Sequence, residues 1–200
     1  ACITVLLAII AIVCRAKLTT GVPGGLQNCV EWAVGSLRNF FGGIMGADKA
    51  NKYLPFLGTM FIFILISNYS GLLPMSGKIF GLHAPTSSIS CTIALALLVF
   101  FTTHGAGFKV NKLHYFGHFV KPVVIMLPFL IIEEIVRPVS LSLRLYGNIF
   151  GEETVTEQLF ELAPVFVPVI MQALGLLFGF IQAMVFTLLA AIYIDGATGE

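Results

Sequence analysis

The residues from 137 to 153, RPVSLSLRLYGNIFGEE, place two arginines and two glutamates in a chain that otherwise avoids charge. On a helix, Glu133, Arg137, Ser140, Arg144, Asn148 and Gly151 follow in steps of four, three, four, four and three. Residues so spaced form one stripe. Further along, Gln172, Gly175, Gly179 and Gln182 are spaced three, four and three and form a second stripe. An arginine, with a pKa above about 12, relays no protons. It holds a nearby carboxylate in its ionised form and attracts it. In the middle of a bilayer it costs about 3 kcal/mol, and such residues usually face a bundle interior or a wet cavity.

Blander readings stand beside this one. Glu133 and Arg137, one turn apart, read as an ion pair near the membrane interface. Arg144 can snorkel, although Gly151 lies about 10 Å further along the helix. The two glutamines and two glycines of the second stripe read as helix–helix glue, the glycines permitting close approach. A polar stripe facing Arg144 would supply partners for those glutamines. No counter-charge for Arg144 is obvious within the chain, because Glu152 and Glu153 lie two turns or more away. The pattern is a polar seam awaiting an acidic partner.

The elements that position this seam follow from composition. The chain has 200 residues, 58% hydrophobic and 10% charged, against about 25% charged in soluble proteins. Its net charge of +1 leaves no nucleic-acid footprint. Runs of about 20 apolar residues span a hydrocarbon core of about 30 Å. Backbone groups in lipid must be satisfied within the segment, so the spans are helices. The fold class expected is an all-α integral membrane protein, one membrane domain over 1–200. The four cysteines, Cys2, Cys14, Cys29 and Cys91, lie far apart and read as small apolar residues.

A short first span is expected at 1–14. It begins inside an apolar run without a methionine, so the true N-terminus is expected to be processed or missing. At 26–45 the face Leu26, Val30, Ala33, Leu37, Phe41 and Ile44, with Trp32 nearby, predicts an amphipathic interfacial helix or one packed on neighbours. Spans follow at 53–73 and 87–103. Two long stretches, 122–151 and 162–194, are joined by a short acidic turn and form an antiparallel hairpin. About 30 helical residues reach roughly 45 Å, so these helices must tilt strongly, kink or project. Pro128, Pro138, Pro164 and Pro168 offer places to bend. That makes about five membrane helices. Basic residues concentrate at 15–52 and 109–121, which by the positive-inside rule face the cytoplasm, with the C-terminus inside and the turn at 152–161 outside.

The segments SLSLRLYGNIFGEE and GFIQAMVFTLLAAIYI resemble the a subunit of rotary F-type ATP synthases, as do NCVEW and ISNYSGLLP. The resemblance covers most of the chain. It implies that Arg144 meets a carboxylate of the c-ring. Asn148 and Gln182 match polar residues near it, and Glu153 matches the acid of the outer ion-access channel. Glu152 stands where many members have a small residue, and an acidic pair of this kind resembles plastid-type and some bacterial sequences. Gly175 replaces a histidine found in certain members, which favours access through water. The resemblance also implies helix packing against the ring by Gly175, Gly179 and Ser140. Ions would pass to and from the ring through two offset half-channels separated by Arg144, coupling ion flow to rotation and ATP synthesis. Protons and Na+ both fit. The partners implied are the c-ring, b-type peripheral stalk subunits and the lipid bilayer. The location implied is an energy-transducing membrane, the bacterial plasma membrane first, with thylakoid and mitochondrial inner membranes as alternatives. No cofactor is implied, and ATP chemistry would belong to other subunits.

A stand-alone secondary transporter or channel is the rival, but the inverted repeats expected of one are not seen. A metal site is a weaker rival. His114 and His118 are one turn apart without an H-E-x-x-H pattern, and His83 and His104 lie in other segments. No phosphate-cradling glycine loop occurs.

Overall fold

A computed structural model describes residues 25–71, 88–111, 127–162 and 166–199. These residues form α1 (Gly25–Met45), α2 (Ala47–Gly71), α3 (Ile89–Asn111), α4 (Leu127–Leu162) and α5 (Phe166–Thr198). The expected first span, the basic segment around His114 and His118, and His83 lie outside the described residues. The chain is an all-α integral membrane protein. Among the described residues three helices are long and apolar enough to cross a membrane, namely Ala47–Gly71, Ile89–Lys109 and Ile170–Thr198. α4 is not among them, because Glu133, Glu134, Arg137 and Arg144 interrupt its apolar run.

Several boundaries move. The expected interfacial helix and second span are separated only by Gly46, whose φ of 81° ends one helix and starts the next. Its N–H donates to the Gly42 carbonyl at 3.1 Å, and its own carbonyl accepts from Ala50 N at 2.9 Å. A residue without Cβ adopts this left-handed geometry cheaply. The acidic stretch at 152–161, expected as the hairpin turn, is helical, and α4 continues to Leu162. Its glutamates and glutamine are good helix formers. α3 likewise runs past 103 to Asn111. Of the four prolines, Pro138 lies inside α4. Pro128 and Pro168 sit in first turns, where a missing N–H costs little, and Pro164 lies outside the described residues.

α5 is the hub and packs against each of the other four helices. Its inner face is Ala183, Phe186, Ala190, Ala191 and Ile194, all at 0% exposure. Small side chains let backbones approach closely, which is how helices associate in lipid where apolar burial gives no drive. The amphipathic face expected on α1 is used only in part. Leu37, Phe41 and Met45 are buried, whereas Val30 and Trp32 are exposed.

Side-chain pairs fix the registers. Lys49 Nζ meets Asp195 Oδ1 at 2.7 Å, and Asn68 Nδ2 donates to the Gly179 carbonyl at 3.0 Å, so α2 and α5 are antiparallel. Ser142 Oγ donates to Thr92 Oγ1 at 3.2 Å, and His104 lies 3.6 Å from Glu134, which makes α3 and α4 antiparallel. Asn148 pairs with Gln182, and Arg137 lies over Tyr193, so α4 and α5 form the expected antiparallel hairpin. The start of α2, the end of α3, the start of α4 and the end of α5 thus share one end of the bundle. That end carries Lys49, Lys52 and Lys109.

Candidate functional site

α4 carries two polar groups separated by an apolar layer. At the end with the lysines, Arg137 is held on every side. Its Nη2 donates to Glu133 Oε1 at 2.7 Å, and its Nη1 to Glu134 Oε1 at 3.1 Å. Its guanidinium also sits 5.2 Å from the centre of the Tyr193 ring. The ion pair expected from the Glu133–Arg137 spacing is present. Leu141 and Leu145, at 2% and 0% exposure, then close the helix onto its neighbours.

Beyond that layer Asn148 Nδ2 donates to Gln182 Oε1 at 2.6 Å. Gln182 is 4% exposed, and its Nε2 has no hydrogen-bond partner among the described residues. A buried amide donor without a partner costs about 1–3 kcal/mol unless water or another chain supplies one. The spacing rule therefore finds one true link between the two stripes. It connects Gln182 to Asn148, one turn beyond Arg144.

Arg144 sits one turn before Asn148 on the exposed side of α4. Among the described residues it makes no hydrogen bond or ion pair. Its neighbours leave space. Ser140 is exposed, and a Cβ added at Gly147 or Gly151 would meet nothing within 4 Å. Leu143 beside it is 54% exposed. The helix thus presents a cation in an open, apolar, small-residue strip.

The second stripe lies on an inward face, with Gly175, Gly179 and Gln182 buried and Gln172 half-buried. Gly179 packs inside the chain. A Cβ there would lie 3.3 Å from Asn68 Cβ and 3.3 Å from the Tyr69 ring. Glu152 is half-buried, one turn beyond Asn148. The Glu153 backbone is helical, and its side chain lies outside the described residues.

Sequence reasoning passed over Glu134 and Thr103 and weighed His104 only as a metal ligand. They line a small cavity of about 20 Å³ between α3, α4 and α5, together with Arg137 and Tyr193. The available signal was the Glu133–Glu134 doublet in an apolar run. Its partner His104 lies 30 residues away, beyond the reach of any helical spacing.

The family model described as ATP synthase A chain matches residues 1–195. The chain belongs to the ATP synthase A chain family. Its relatives include ATP synthase subunit a of Geobacter sulfurreducens, 41% identical over 202 residues that cover 99% of this chain and 85% of the relative. The protein of the same name from Trichlorobacter lovleyi is 40% identical over 99% of this chain and 84% of its own length. ATP synthase subunit a 1 of Syntrophotalea carbinolica is 43% identical over 99% and 83%. As an ATP synthase a subunit, the chain belongs to the membrane sector and is not an enzyme by itself.

Proposed function

We propose that this ATP synthase a subunit is the stator of an ion path, with Arg144 facing an acidic carboxylate on a ring of small partner subunits. One observation carries the reading: Arg144 is exposed, has no partner among the described residues, and stands one turn from the part-buried Asn148–Gln182 bond. A permanent cation at that depth calls for an anion, and the open strip at Ser140, Gly147 and Gly151 leaves room for a helix from another chain.

Ions enter from the end carrying Glu152 and Glu153, pass the amides of Asn148 and Gln182, and neutralise a ring carboxylate. The ring then carries that site through lipid to a second half-channel at the lysine-rich end. Arg144 stands between the two. Its charge lowers the pKa of the arriving carboxylate and repels cations that would pass directly. The roughly 6 Å rise from Arg144 to Asn148, against about 15 Å back to Glu134, supports two polar groups on opposite sides of the arginine. The lysines gathered at one end support placing that end, and the C-terminus, in the cytoplasm. Bacterial relatives support a bacterial membrane. Peripheral stalk subunits of the b type are the further partners of this reading.

The test is Arg144→Ala in the intact complex, reconstituted in vesicles. Coupled ATP synthesis is expected to disappear while the complex still assembles. Coupled synthesis at the original rate would refute the role.

A further inference from the structure

The cavity at the lysine-rich end holds groups that the coupling scheme above does not yet use. Glu134 projects from α4 and His104 from α3, with Nε2 and Oε2 3.6 Å apart. Both side chains are only partly accessible, at 21% and 26%. His104 Nδ1 lies 3.0 Å from the Phe100 carbonyl, so a proton on Nδ1 satisfies that bond and leaves Nε2 as the acceptor facing Glu134. At 3.6 Å the two groups lie just beyond direct hydrogen-bond distance, so a small side-chain rotation brings them into contact. A separate observation points to water in the cavity. Thr103 Oγ1 is buried, its residue 5% exposed, and it has no hydrogen-bond partner among the described residues although Thr103 lines the same cavity.

Among the described residues the other charged and titratable groups near the pair have partners of their own. On α4, Glu133 and Arg137 bind each other, and Arg137 also binds the second oxygen of Glu134, Oε1. On α5, Tyr193 lies under Arg137, and Asp195 is taken up by Lys49 of α2. Arg137 therefore anchors one oxygen of Glu134, and the other faces the imidazole.

We propose that Glu134 and His104 form the proton-exchange pair of the inner half-channel, a refinement that rests on the stator reading above. A proton released by a ring carboxylic acid travels through water to the Glu134 carboxylate and neutralises it. Transfer to His104 Nε2 restores the carboxylate and creates an imidazolium. Loss of that proton to water at the cavity mouth returns both groups to their starting states. The net change is one proton moved from ring to bulk, with no other bond made or broken. Such a pair serves protons and has no use for Na+.

The experiment uses the intact complex in vesicles and measures ATP-driven proton uptake between about pH 5 and 8, the range in which imidazole changes charge. Uptake is divided by ATP hydrolysis in the presence of an uncoupler at the same pH, which removes the catalytic sites' own pH dependence. His104→Gln and Glu134→Gln are each expected to lower this ratio at least about tenfold, the low end of what a proton-transfer group contributes, and to flatten its pH profile. Glu134→Asp is expected to keep the profile, and the double variant to be no worse than either single one. Ratios and profiles within about twofold of the parent in both Gln variants would overturn the pair, as would a flat profile in Glu134→Asp. Should Glu134→Gln fail to assemble, the His104→Gln profile decides alone. If the pair fails while Arg144→Ala still abolishes synthesis, the stator reading stands without it.

Discussion

Arg137 and Arg144 occupy the same helix two turns apart, yet their surroundings are opposite. Arg137 is enclosed by two carboxylates and an aromatic ring of its own chain. Arg144 is exposed among apolar and small residues, with no bond to any described residue. The first has its charge satisfied by folding, and replacing it should act mainly on stability. The second keeps its charge available, and replacing it should act on function. A fold that already paired both cations would have no electrostatic means of engaging a moving acid.

That contrast can be broken by exchanging the head group while keeping the charge. Arg144→Lys retains a cation but loses the planar fork that grips a carboxylate bidentately, and coupled synthesis in vesicles is expected to fall about a hundredfold. Arg137→Lys also loses one of its two carboxylate bonds, and is expected to cost about 1 kcal/mol in thermal unfolding of the complex, with a smaller loss of synthesis than the Arg144 variant. Equal losses from both would erase the distinction.

Between these in severity stands Gly179. The nearest atoms to an added Cβ, at 3.3 Å, include Asn68 Cβ beside the α2 backbone, so Gly179→Leu overpacks the α2–α5 seam. A loss of about 1–3 kcal/mol is expected, read as a lowered unfolding temperature. Gln182→Leu removes the buried amide and leaves Asn148 Nδ2 without its acceptor. Proton uptake is expected to fall several-fold with little change in assembly, sharpening the claim that the Asn148–Gln182 bond belongs to the ion path. The smallest effect is at Lys49, whose pair with Asp195 is more than a third exposed on both sides. Lys49→Met should shift stability by at most about 0.5 kcal/mol, seen as an almost unchanged unfolding temperature.

How far the sequence disclosed this arrangement depends on distance along the chain. The two stripes were legible because helical periodicity is local, and their link, Asn148 to Gln182, follows from folding one long apolar hairpin. The Arg137–Glu133 pair was legible for the same reason. The hairpin's end was not, because the acidic residues at 152–161 mark a turn by polarity while also favouring helix. Glu134 with His104, and Gly179 against Asn68, join different helices. No spacing rule announces such pairs, since only the registers of α3 on α4 and of α2 on α5 create them. The family resemblance pointed to Arg144, but its exposure among small residues, with no bond to any described residue, emerges only from the packed helices.

The most direct test is passive proton flux in vesicles holding the intact complex without nucleotide, under an imposed electrical potential. If Arg144 is the barrier between the two polar groups, Arg144→Ala should conduct protons faster than the parent complex while making no ATP. A variant that stays as proton-tight as the parent and still synthesises ATP at the parent rate would contradict the account.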